Sequence, residues 1–141
     1  MSATLPDVII SKISIIENCL KRIQDTADGK YGVTDREMVL DFQVLNLQRA
    51  IQAAIDIAGY VISENNLRIP NSYKMSFYIL EEAGWISSNT GDKMKKMVGF
   101  RNVAVHDYRE IDRNIVAAVL EKHLGDFGEF IQEIVTGYKN K

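Results

Sequence analysis

The chain has 141 residues, 46% of them hydrophobic and 26% charged, which fits one globular domain large enough to bury a core. Its formal net charge of −2 argues against a protein that coats nucleic acid, and its lone cysteine, Cys19, excludes an intrachain disulfide. No apolar run approaches the length of a membrane span. We therefore expect residues 1–141 to form a single cytoplasmic domain.

The hydrophobic spacing predicts two long helices in the first half of the chain. Apolar residues recur at intervals of three and four from about residue 5 to residue 24, which predicts the first helix. Gly29 and Gly32 break it, and Thr34 and Glu37 then form a predicted capping box. The second helix is predicted to run to about Asn65, with this regular apolar stripe: Leu40, Val44, Leu47, Ile51, Ala54, Ala58 and Val61.

Three further helices are predicted in the second half. A short third helix starts near Ser72, with Tyr73, Phe77, Leu80 and Gly84 on one side, and a fourth begins near Ser88. The fifth is predicted over most of Asp112 to Tyr138, although Gly125 and Gly128 weaken it by about 1 kcal/mol each. The predicted architecture is an all-α, up-down bundle of about five helices.

The fourth helix carries a charged side chain where its spacing predicts an apolar one. Met94, Val98, Arg101, Val105 and Tyr108 recur at the intervals of a buried stripe. An unpaired buried charge is very costly, so Arg101 requires a carboxylate, a phosphate or a water-filled cleft. If the helix continues through residue 108, Arg101 and Tyr108 lie on the same side, within about 20° of each other.

Asn102 and His106 lie on the neighbouring strip of this helix, at a spacing that allows the amide to hydrogen-bond the imidazole. Such residues suit phosphodiester chemistry, because a histidine exchanges protons near neutral pH and an arginine binds a phosphate. On RNA the 2′-hydroxyl can be the nucleophile, so no metal is needed. The structural alternative is an arginine paired with Asp56 or Glu82 and a histidine that caps the helix.

A basic segment surrounds these residues. Between positions 93 and 109, five basic residues stand against Asp107 alone, a local net charge of +4. The candidate RNA-binding residues in this segment are Lys93, Lys95, Lys96 and Arg109, although a lysine run is also typical of a solvated helix face. His123, on the apolar stripe of the fifth helix, is interpreted as a hydrogen-bonded core residue rather than a ligand.

Arg101, His106 and Tyr108 form an Arg-X4-His-X-Tyr pattern that resembles the signature of HepT-type toxins of the HEPN superfamily. The similarity extends to the segment 97–100 before Arg101 and to 47–52 with Asp56 and Ile57 on the second helix. The resemblance implies a helical bundle that homodimerises, with two copies of the motif facing one cleft. It further implies a metal-independent endoribonuclease without a cofactor, with Arg101 and His106 as catalytic residues and Asn102 in support.

The resemblance also implies a partner, an antitoxin with a minimal nucleotidyltransferase (MNT) fold. In related systems such an antitoxin transfers AMP from ATP to the motif tyrosine, here Tyr108, and silences the toxin. Two alternatives remain open at the level of sequence. The chain could be a non-catalytic helical scaffold for a nucleotidyltransferase, with Arg101 and His106 holding the dimer together, or a nucleotide-binding module without turnover.

Overall fold

The computed structural model describes residues 4–108 and 111–140, and within these ranges the backbone forms six α-helices. They are α1 (Asp7–Ala27), α2 (Arg36–Glu64), α3 (Tyr73–Glu82), α4 (Ser88–His106), α5 (Arg113–Lys122) and α6 (Gly125–Lys139). The described ranges contain no strand, which confirms the predicted all-α class. No described helix is long and apolar enough to cross a bilayer.

Helix α2 is the central element of the hydrophobic core. Its predicted stripe is fully buried from Val44 to Val61, because the other helices pack around it. The large side chains buried against this stripe come from α1, α3, α4 and α6, and include Ile9, Ile16, Phe77, Leu80, Met94, Phe127, Phe130 and Ile134. The regular spacing of apolar residues therefore predicts the core side of α1 and α2 correctly.

The turn before α2 follows the prediction, whereas the predicted helix cap is displaced by one residue. Gly29 and Gly32 adopt φ angles of +76° and +70°, a left-handed conformation that favours glycine. The N-cap is Asp35, whose carboxylate accepts a hydrogen bond from a backbone N–H of the first turn at 3.0 Å. The capping box predicted at Thr34 and Glu37 is wrong, because α2 begins at Arg36 and its N-cap is therefore Asp35 rather than Thr34.

The predicted fifth helix is divided into α5 and α6. The backbone N–H of Asp126 donates to the carbonyl of His123 at 3.0 Å, a three-residue spacing that interrupts the α-helical ladder. Gly125, a weak helix former, directly follows this break as the first residue of α6. The break also turns the imidazole of His123 to the surface, where it lies 3.2 Å from the Asp126 carboxylate. The predicted core position of His123 is therefore wrong, although its hydrogen bond is present.

Helix α4 is buried along its first turns and exposed along its last. Met94 and Val98 are almost fully buried, whereas Val105 is 48% exposed and Tyr108 is 42% exposed. In the last turns the buried side chain is Ala104, which packs in a small cluster between α2 and α5. The predicted buried stripe is therefore wrong beyond Val98, because the end of α4 extends past the main core.

Candidate functional site

Arg101 lies at the border between the buried and exposed parts of α4. Its guanidinium carbon is 5.3 Å from the centre of the Tyr73 ring on α3, and its Nη1 donates to the Asn102 Oδ1 at 3.3 Å. The aromatic ring supports the face of the guanidinium group, which leaves N–H groups at its edge for a ligand. Arg101 is thus held in place by one ring and one amide.

The carboxylate partners considered for Arg101 are engaged elsewhere. Asp56 pairs with Lys12 at 2.9 Å, and Glu82 pairs with Arg68 at 3.0 Å. Within residues 4–108 and 111–140, Arg101 forms no ion pair. The structural alternative, in which a carboxylate neutralises this arginine inside the chain, therefore lacks its partner in the described residues.

His106 is the last residue of α4, one turn beyond Asn102, and its side chain is exposed. Among the described residues, the expected hydrogen bond between the Asn102 amide and the His106 imidazole is not formed. The side-chain oxygen of Asn102 accepts a hydrogen bond from Arg101 instead. The imidazole is therefore open to solvent and to any molecule that binds at the end of the helix. Such a group can transfer protons to and from a bound substrate.

Tyr108 lies beyond the end of α4, and its phenol donates a hydrogen bond to Asp41 on α2. Burial, this hydrogen bond and the negative charge of Asp41 together raise the pKa of Tyr108 to about 12. The predicted placement of Tyr108 on the same helix side as Arg101 is wrong. Helical geometry ends at His106, and Asp107 adopts a non-helical conformation that directs the chain towards α2.

The basic segment of α4 is partly neutralised by neighbouring helices. Lys93 pairs with a glutamate of α6 at 2.9 Å, and Lys95 pairs with a glutamate of α3 at 3.0 Å. Lys96 is exposed and has no ion-pair partner in the described ranges. Arg109 lies outside the described residues. The local charge available to a ligand is therefore smaller than the sequence alone indicates.

Two open cavities lie on either side of α4. The first, which we name the apolar groove, has a volume of about 720 Å³ and is lined by several charged side chains and by apolar ones that include Met97, Phe100, Val103, Ile115 and Val119. The second, which we name the polar cavity, has a volume of about 910 Å³ and is lined in part by Asp56, Asn71, Tyr73, Lys74 and Asn102. Among the residues that the structure describes, no group of three histidine, cysteine, aspartate or glutamate side chains could hold a metal ion.

Sequence reasoning missed two residues that contact the motif. Tyr73 is predicted to share one side of α3 with Phe77 and Leu80, but it is 45% exposed, unlike these two residues, and its ring supports Arg101. Asp41 is not singled out by any motif, and it binds a tyrosine 67 positions later in the chain. Contacts between such distant positions leave no local signal in the sequence.

The fold and the site define a helical-bundle protein with a half-buried arginine and an exposed histidine in the last turns of one helix. A family model described as "Ribonuclease HepT-like" matches residues 16–134. The chain is also 44% identical over 129 residues to the mRNA nuclease HepT of Shewanella oneidensis, a match covering 91% of this chain and 96% of that protein. The chain therefore belongs to the HepT-like ribonuclease family.

Solved structures agree with this assignment. One is a tri-AMPylated Shewanella oneidensis HEPN toxin in complex with an MNT antitoxin, with a TM-score of 0.85 and 43% identity, covering 94% of this chain and 99% of that one. Another is a crystal structure of a toxin–antitoxin with AMP-PNP, with a TM-score of 0.84 and 43% identity, covering 92% and 99% of the two chains. The similarity thus extends over nearly the whole fold.

Proposed function

We propose that this protein is the toxin of a toxin–antitoxin pair and acts as a metal-independent endoribonuclease. One observation carries the proposal. In a member of a ribonuclease family, Arg101 has no carboxylate partner in the described ranges and lies on the same exposed helix end as His106. A cation that the chain itself does not neutralise suits an anionic substrate, and the phosphates of RNA supply that charge.

Three residues of α4 have distinct roles in the proposed reaction. Arg101 binds the scissile phosphate and stabilises the charge that grows in the transition state. His106 takes the proton of the 2′-hydroxyl as this oxygen attacks phosphorus, or gives a proton to the departing 5′-oxygen. Asn102 supports Arg101 through the hydrogen bond between them. Lys96 and Arg109 are the proposed contacts to the RNA backbone, with Lys93 and Lys95 reduced to a secondary role by their ion pairs.

The protein is proposed to work as a homodimer whose two motifs share one cleft. A single motif supplies one histidine, whereas attack and departure each require a proton transfer, and a two-fold axis brings a second motif into opposition. The apolar groove supports this arrangement, because it lies on the same helix as the motif. Val103 and Ile115, at its rim, are 46% and 55% exposed, which favours burial against a second copy.

The proposed partner is an MNT-type nucleotidyltransferase that transfers AMP to Tyr108. Tyr108 lies two residues from His106, so an AMP group on its oxygen adds bulk and negative charge beside the proposed catalytic residues. RNA phosphate and the modified tyrosine then repel each other. The relatives solved with an MNT antitoxin and as a tri-AMPylated toxin support this regulation. Action on RNA fits a cytoplasmic location.

Co-expression with an MNT-type nucleotidyltransferase tests the proposal. We expect wild type alone to arrest growth and His106→Ala to be harmless. In co-expression, intact mass should increase by one or more AMP groups that map to Tyr108, and Tyr108→Phe should not gain them. Equal harmlessness of wild type and His106→Ala, together with an unchanged mass, would favour the non-catalytic scaffold instead.

A further inference from the structure

The polar cavity continues the surface of α4 that carries the motif. Val98 and Asn102 both line it and are four residues apart, and His106 is four residues further along the same strip of the helix. An extended molecule bound at Asn102 and His106 therefore reaches the cavity without turning around the helix. The volume of about 910 Å³ is large enough for part of a nucleic-acid strand.

Tyr73 connects the cavity to the proposed catalytic arginine. Its side chain lines the cavity, and its ring centre lies 5.3 Å from the guanidinium carbon of Arg101. A guanidinium group supported on an aromatic face loses freedom to rotate, so its N–H edge is aligned before a phosphate arrives. Tyr73 is thus placed to act as a positioning residue for Arg101.

Lys74 supplies an unmatched positive charge at the same cavity. It is exposed and forms no ion pair within residues 4–108 and 111–140, and its Nζ would lie 3.6 Å from a Cβ atom at Gly99. Gly99 is two residues before Arg101, so the ammonium group lies against α4 near the motif. A lysine in the first turn of a helix opposes the helix dipole, so helix stability does not explain its presence.

The acidic residue of the cavity does not neutralise Lys74. Asp56 accepts hydrogen bonds from Lys12 and Gln52, both at 2.9 Å. Its negative charge is therefore balanced by Lys12, and the charges that remain at the cavity and its border are those of Lys74 and Arg101. Two neighbouring cations without carboxylate partners in the described chain favour a ligand that carries more than one phosphate.

We propose that the polar cavity is a subsite for the RNA strand next to the scissile phosphate. Lys74 binds the phosphate of the adjoining nucleotide, Asn102 lies between the two phosphate positions, and Tyr73 holds Arg101 on the scissile phosphate. The subsite rests on the proposed ribonuclease function and extends it, because it names which side of α4 the strand follows. Neither Tyr73 nor Lys74 belongs to the Arg-X4-His-X-Tyr motif.

Lys74→Gln tests the phosphate contact, with Lys139→Gln, an exposed lysine at the far end of α6, as the matched control. Binding of a fluorescent single-stranded RNA is measured by anisotropy in the His106→Ala background, so that no cleavage intervenes. We expect Lys74→Gln to weaken binding at least about threefold and to reduce the slope of log K against log salt by about 0.7. An unchanged affinity and slope overturn the proposal.

Tyr73→Leu and Tyr73→Phe test the positioning role by cleavage kinetics. We expect Tyr73→Leu to lower kcat by about 10-fold to 100-fold with a smaller change in KM, because a misplaced Arg101 costs transition-state stabilisation. Tyr73→Phe keeps the ring and should keep most of kcat. Equal kcat values for wild type and Tyr73→Leu overturn the positioning role. If wild type cleaves no RNA but Lys74→Gln still reduces the salt slope, the ribonuclease proposal fails, and with it the assignment of a scissile phosphate at Arg101. Lys74 then remains a contact to an RNA phosphate without a role in cleavage.

Discussion

The phenol of Tyr108, beyond the end of α4, donates a hydrogen bond to Asp41 of α2. This contact ties the segment that follows the motif to the central helix of the bundle. It also limits modification, because a tyrosine oxygen that carries AMP has no proton to donate. The AMP phosphate further adds negative charge beside Asp41 and Glu37, the two acidic residues that raise the pKa of Tyr108. The proposed AMP transfer therefore requires that Tyr108 first separate from α2.

Asp41→Asn should lower the pKa of Tyr108 from about 12 towards the ordinary value of 10.0. The substitution removes a negative charge and an ionised acceptor, both of which favour the protonated phenol, while the effect of burial remains. The pKa can be measured by NMR of tyrosine labelled at the ζ carbon, with Tyr108→Phe to assign the signal. A pKa of Tyr108 that is the same in wild type and Asp41→Asn would contradict the contact.

Stability at alkaline pH should depend on Tyr108. Because its folded-state pKa is raised, the unfolded chain releases this proton first as the pH rises. The contribution of this raised pKa to the free energy of unfolding is therefore complete below pH 10 and is lost as the pH rises towards 12. In urea unfolding, the free energy of unfolding should fall less between pH 8 and pH 11 for Tyr108→Phe than for wild type. Equal decreases in the two proteins would contradict a contribution of the raised Tyr108 pKa to stability.

AMP on Tyr108 should loosen the end of α4. The modified residue loses its contact with Asp41, so we expect backbone amides of residues 103–108 to exchange hydrogen faster in the modified protein. Exchange in the middle of α2, around Ile51 and Ile57, should not change, because these residues are buried in the main core. Identical exchange of residues 103–108 before and after modification would show that Tyr108 can carry AMP without leaving α2.

Alanine substitutions at two glycines of α6 should change the free energy of unfolding in opposite directions. A Cβ atom at Gly137 would lie 2.4 Å from the ring of Trp85, whereas a Cβ atom at Gly128 meets no atom within 4 Å. Gly137→Ala should lower the free energy of unfolding by about 1–3 kcal/mol, because the buried indole has to move. Gly128→Ala should raise it by about 0.5–1 kcal/mol, because alanine favours the helix. Urea titration of both variants checks this, and a stabilised Gly137→Ala would contradict the packing of Trp85.

Cys19 should react slowly with thiol reagents in the folded protein. The residue is 3% exposed, and its burial raises the pKa of the thiol, an effect that Arg22 and Arg49 only partly oppose. We expect labelling at pH 8 to be at least about 100-fold slower than in denaturant, because it requires local opening. The same reaction in 6 M guanidinium chloride is the reference, and comparable rates in both conditions would contradict the burial.

The sequence predicts the parts of this fold that depend on local pattern. The stripe from Val44 to Val61, the glycine turn before α2 and the start of α3 at Ser72 follow from spacing and from preferred residue types. The exposure of the end of α4 cannot be predicted in this way, because it depends on how far the core extends beyond Val98. Contacts within the site cannot be predicted from the sequence for a similar reason. They join residues on helices that are distant in the chain, and no local sequence pattern indicates how these helices pack.

The central claim is that Arg101 and His106 cleave RNA, and cleavage of a labelled RNA by purified, unmodified protein in EDTA tests it most directly. Wild type should cut the RNA, and His106→Ala should lose about 100-fold to 10,000-fold in rate, the usual contribution of acid–base catalysis. Arg101→Ala should be similarly impaired. His123→Ala, which removes the other histidine of the chain, should cleave like wild type. Wild type and His106→Ala cleaving at equal rates, or wild type without AMP leaving every RNA intact, would contradict the account.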